Sequence, residues 1–76
     1  MKLHYYKQPY KNYTTVAFPT QDLATQFQLR NWCYKTFGEP GYKPDTAEVR
    51  WVDDIKYGEI RIDRDSDLMM FLLRWE

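Results

Sequence analysis

Few residues in this chain have the chemistry of a catalytic or metal-binding group. There is one cysteine, Cys33, and one histidine, His4. A thiolate nucleophile needs a base within hydrogen-bond reach. His4 falls in the N-terminal segment, far from the helical stretch that holds Cys33 between Trp32 and Tyr34. In that setting the thiol is expected to pack as a small hydrophobe. One Cys and one His do not make a structural zinc site, and a lone cysteine closes no internal disulfide. The carboxylates Asp53, Asp54, Asp63, Asp65 and Asp67 lack the spacing of a calcium loop. Asp53-Asp54 reads as a turn, and Asp63 to Asp67 as the start of a helix. With only Gly38, Gly41 and Gly58, there is no glycine-rich phosphate loop. The expectation is a protein that is not an enzyme and uses no metal or cofactor.

Tyrosine is the residue type with the most to offer. Seven tyrosines stand among 76 residues, and Tyr5, Tyr6, Tyr10 and Tyr13 crowd the N-terminal segment together with Lys7 and Lys11. With Tyr57 they are the candidate binding surface. Tyrosine and lysine in this density suit a protein partner or stacked bases and phosphates of single-stranded nucleic acid. Tyrosines are also good strand formers that cover a sheet with partly wet rings.

The elements that must position these residues follow from periodicity. Residues 2–7 suit a short strand, residues 8–12 with Pro9 and Asn12 a turn, and residues 13–18 a β-branched and aromatic strand closed by Pro19. Thr20 offers an N-cap to a helix over about residues 21–36, with Gly38 just past its end. Its apolar positions are Leu23, Phe27, the stem of Arg30, and Tyr34. Residues 39–45, with two prolines and a glycine, form a loop. A strand over 47–52 puts Val49 and Trp51 on one face, residues 53–56 turn the chain, and residues 57–62 return with Ile60 and Ile62 inward.

The last stretch, residues 66–76, is the densest apolar run. Leu68, Phe71, Leu72 and Trp75 recur at i, i+3, i+4 and i+7, with Met69 and Leu73 widening the stripe. Asp65, Ser66 and Asp67 offer an N-cap and first-turn negative charge. The rival is a strand with Met69, Phe71, Leu73 and Trp75 on one face; the spacing favours the helix. Sliding the chain by 44 residues sets Tyr13 on Tyr57, Val16 on Ile60, Phe18 on Ile62 and Phe71 on Phe27, which suggests a duplicated unit. The fold class expected is α+β: one domain of ββαββα order, an antiparallel sheet of three or four strands with both helices on one face. Its core is Val16, Phe18, Leu23, Phe27, Val49, Trp51, Ile60, Ile62, Leu68, Phe71, Leu72 and Trp75, and its other sheet face is open.

Eleven basic residues balance eleven acidic ones, so no whole-molecule field draws the chain to nucleic acid or membrane. Residues 1–43 carry a net +4 and residues 44–76 a net −4. The N-terminal residues lack a signal peptide's apolar core, and no run reaches transmembrane length, so a cytoplasmic protein without membrane insertion is expected. Exposed edge strands make a homodimer plausible for so small a domain.

Trp32-Cys33-Tyr34-Lys35-Thr36-Phe37-Gly38-Glu39-Pro40-Gly41, then Trp51, then Phe71-Leu72-Leu73-Arg74-Trp75 form a further pattern. It resembles small uncharacterised proteins of tailed bacteriophages that pair a W-C-x-x-x-F-G-x-x-G segment with a terminal F-x-L-R-W. The resemblance covers about residues 30–76. It implies viral origin and action in the bacterial host cytoplasm, and it brings no catalytic residues. The function expected is binding and modulation of a host protein through the aromatic surface. The alternatives are a single-stranded nucleic-acid accessory protein using the N-terminal hairpin, and a minor virion structural or assembly factor.

Overall fold

In the computed structural model, residues 2–7, 9, 11–19, 22–41 and 49–76 are described. The elements run β1 (His4–Lys7), β2 (Thr14–Ala17), α1 (Leu23–Phe37), β3 (Trp51–Asp54), a 3-10 turn (Ile55–Tyr57), β4 (Glu59–Ile62) and α2 (Asp65–Trp75). The four strands make one antiparallel sheet in the order β1-β2-β4-β3. The second strand of each hairpin is therefore central. Val16 stands directly opposite Ile60, the residue that the 44-residue offset sets against it.

Strand alternation divides the sheet. Val16, Ile60, Ile62 and Trp51 point into a buried cluster with Leu29, Cys33 and Phe37 of α1 and Phe71 of α2. Leu3, Phe18 and Ile55 complete it, and Trp32, Leu68, Leu72 and Trp75 pack against it. Trp32 meets Phe37, Phe71 and Trp75 edge-on, with ring centroids 5.4, 5.9 and 6.2 Å away. Interlocked rings of this kind supply a large buried area in a short chain. The terminal segment is thus a helix lying on the inner layer, as its spacing predicts. However, Met69 and Leu73 do not widen its buried stripe; they are exposed.

The first helix corrects the core expectation. Leu23 is 70% exposed and Phe27 58%, while Tyr34 is part-exposed with its ring edge-on to Trp51 at 5.5 Å. The buried residues are Leu29, Cys33 and Phe37, at i, i+4 and i+8 on another stripe. The sequence carries both stripes; the one with Cys33 and Phe37 packs into the core, and Arg30 beside it reaches Asp53 of β3 at 2.7 Å. Its N-cap is Asp22 and not Thr20, which lies outside the described residues. The Asp22 carboxylate accepts from the Thr25 N–H at 2.8 Å, which holds its pKa below the ordinary value. At the other end Gly38 adopts φ +89°, ψ −161°, and its N–H bonds the Tyr34 carbonyl.

Two further boundaries differ from expectation. Asp53 and Asp54 end β3 instead of forming the turn. Asp53 accepts from the Ile55 N–H at 3.1 Å as well as from Arg30, and Asp54 pairs with Arg61 across the sheet. Gly58, at φ +81°, then closes the 3-10 turn. Val49 precedes β3 and is half-buried, packed against Gly41, so it does not share a strand face with Trp51. In α2 the N-cap is Arg64, without a side-chain cap, and none of Asp65, Ser66 or Asp67 takes that place. Asp67 is instead buried, bonded to Arg50.

Candidate functional site

The tyrosines expected to form one open face are distributed by the pleat. Tyr5 and Tyr6 are consecutive in β1 and so point to opposite sides of the sheet. Tyr6 opposes Thr15, which opposes Arg61, which opposes Val52; this row belongs to the outer face. Tyr5 opposes Val16 and belongs to the helix side, yet it remains 54% exposed, against 46% for Tyr6. Tyr13 is half-buried before β2, near the Lys7 end of the β1–β2 pair. Tyr57 is exposed in the 3-10 turn, which adjoins Phe18 at the opposite end through the Phe18 N–H to Gly58 carbonyl bond. Tyr10 lies outside the described residues. Lys11 is exposed. The structure therefore keeps Tyr5, Tyr6 and Lys7 on one edge strand, with Tyr5 and Lys7 on one face and Tyr6 on the other, and it separates Tyr13 from Tyr57.

The middle of the outer face is not the open surface expected: Thr15 and Val52, on either side of Arg61, are buried there. Arg61 pairs there with Asp54 and, at 3.4 Å, with Glu59. Alternation puts His4, Ala17, Glu59 and Asp54 on the same side as Tyr6 and Arg61. An arginine held between two carboxylates is poorly placed to receive phosphates, which lowers the value of this face for nucleic acid.

What distinguishes β1 is its edge. All four of its residues are exposed, and it pairs only with β2. The other edge, β3, is bridged by Gly41, whose N–H donates to the Trp51 carbonyl at 2.9 Å. Among the described residues, β1 thus presents the unbridged row of backbone donors and acceptors. Compared with known proteins, the chain matches no family model, no curated protein and no solved structure.

Cys33 is fully buried, and burial, with a smaller contribution from Asp53, pushes its thiol up to about 12. It is protonated and inert at neutral pH. Three of the five carboxylates form ion pairs: Asp53 with Arg30, Asp54 with Arg61, Asp67 with Arg50. No helix among the described residues is long and apolar enough to cross a membrane.

Residues absent from the sequence-based site now stand out. Leu23, Phe27, Met69, Met70 and Leu73 are exposed on the outer sides of the two helices. The readable signal was that each helix carries more apolar residues than a single inward stripe can hold.

Proposed function

We propose that this chain is a small non-enzymatic binding protein that attaches to another protein through β1. On the phage resemblance, the partner is a protein of the bacterial host, met in the host cytoplasm and modulated by being bound. The observation that carries this reading is the exposure of all of β1 while the opposite edge is bridged by Gly41. An extended segment of the partner adds to the sheet by main-chain hydrogen bonds. Tyr5 and Tyr6 then flank it from the two sides, each with a large area and few rotors to immobilise.

The test is capture from nuclease-treated bacterial lysate by the intact protein and by a Tyr5→Lys/Tyr6→Lys variant. Both positions are exposed, so the variant should fold. Loss of a discrete partner in the variant supports the reading, and an identical set of captured proteins removes it. Salt-dependent retention of the wild type on single-stranded DNA, abolished in the same variant, would replace it with the nucleic-acid reading.

A further inference from the structure

The two sequence motifs meet at one place that β1 does not involve. Trp32 of the W-C segment and Arg74-Trp75 of the F-x-L-R-W segment line a groove of about 280 Å³ between α1 and α2, together with Gln28, Asn31 and Lys35. The indoles of Trp32 and Trp75 are 6.2 Å apart, and the Arg74 guanidinium lies 4.2 Å from the Trp75 ring centroid. No carboxylate lines the groove, and neither Lys35 nor Arg74 forms an ion pair with a described residue. On the outer sides of the same two helices, Phe27 of α1 and Met70 and Leu73 of α2 are exposed.

We infer that this groove seats an acidic amphipathic helix of a partner protein. Two adjacent helices with an apolar seam are the geometry that receives a third by ridge-and-groove packing. The apolar part of the groove is the two indoles, and Lys35 and Arg74, which form no ion pair with a described residue, select carboxylates beside the partner's apolar stripe. A second copy of this chain is the rival occupant, because its α2 offers exposed Met69 and Leu73 with Asp65 and Glu76 as well as Arg74; self-association that displaces the acidic peptide would overturn the proposal.

The probe is a labelled synthetic peptide of about 16 residues, near the length at which an isolated helix becomes marginally stable. It carries Leu at i, i+3, i+4 and i+7 with Glu on the flanks. A Lys-for-Glu version and oligo-dT serve as the comparisons. The acidic peptide should bind saturably to the intact protein, more weakly as salt rises. A Lys35→Glu/Arg74→Glu variant, checked for fold by circular dichroism, should bind it at least about tenfold more weakly. Tyr5→Lys/Tyr6→Lys should bind it like wild type, so this site and the β1 reading can fail separately. If the double variant unfolds, Lys35→Glu alone, exposed and without ring contacts, should still lose several-fold. Equal binding of the acidic and basic peptides overturns the proposal. So does an affinity indifferent to both charge reversals, groove-dependent binding of oligo-dT in place of peptide, or no binding of the acidic peptide.

Discussion

Arg50 grips both carboxylate oxygens of Asp67, Nε at 3.1 Å and an NH2 group at 2.9 Å, and so ties the lead-in to β3 to the first turn of α2. Asp67 is buried and Arg50 is about one-third exposed. The hydrogen bonds to Asp67 raise the Arg50 pKa above its ordinary value. The guanidinium also lies 5.5 Å from the Phe37 ring centroid, touching the end of α1. Replacing Asp67 by Asn leaves the partly exposed Arg50 guanidinium facing a neutral acceptor and should cost about 1–3 kcal/mol, solvent at Arg50 softening the loss. Urea unfolding reads this directly; an unchanged midpoint would show the pair to be incidental.

The two sides of α2 should respond oppositely to truncation. Phe71→Ala removes a fully buried ring between the helices and should cost about 3–5 kcal/mol. Leu73→Ala, two residues on and 84% exposed, should change stability by no more than about 0.5 kcal/mol. Comparable losses at the two positions would mean the helix is rotated from the orientation described.

Cys33 gives a prediction with a definite sign in pH. Its folded pKa, about 12, lies above its ordinary value of 9.0. The unfolded chain therefore releases the thiol proton first. Stability attributable to this group is whole below pH 9 and falls as pH rises from 9 toward 12. Cys33→Ala should flatten that part of the stability–pH curve. Alkylation of the native protein at pH 8 should proceed only as fast as the protein opens; rapid labelling without unfolding would contradict the buried thiol.

The glycines at the two turns should not be equivalent. Gly38 sits at φ +89°, ψ −161°, a region closed to other residues, although nothing crowds the site of a Cβ. Gly58 is left-handed, at φ +81°, ψ 24°, where Asn is tolerated, but a Cβ there would approach the Phe18 carbonyl oxygen to 3.0 Å. Gly38→Ala should cost about 1–3 kcal/mol through backbone strain alone. Gly58→Asn should cost less, unless the Phe18 carbonyl cannot move. Thermal melts of the two variants give the comparison.

Much of the architecture was legible because it is local. The i, i+3, i+4, i+7 spacing of Leu68, Phe71, Leu72 and Trp75 identifies α2, and the alternation at Ile60 and Ile62 identifies β4 with its inward face. What misled was decided by distant partners. Leu23–Phe27–Tyr34 and Leu29–Cys33–Phe37 are both plausible apolar stripes, and Arg30 meeting Asp53 accompanies the choice of the second. Asp53 and Asp54 look like a turn until Arg30 and Arg61 neutralise them in β3. Asp67 looks like a cap until Arg50 claims it. The exposed pair Tyr5 and Tyr6 was legible as a surface, but the pleat that splits the other tyrosines between ends and faces required the strand boundaries.

The proposed function requires that another protein join this sheet at β1. Hydrogen exchange at the Tyr5 and Tyr6 amides, measured in the free protein and with the captured partner bound, tests it most directly. Because the two N–H groups alternate in direction, added protection is predicted on binding at the one that points away from β2, with the bridged β3 amides little changed. Protection that leaves Tyr5 and Tyr6 untouched and appears elsewhere would place the interface on another surface and contradict the claim.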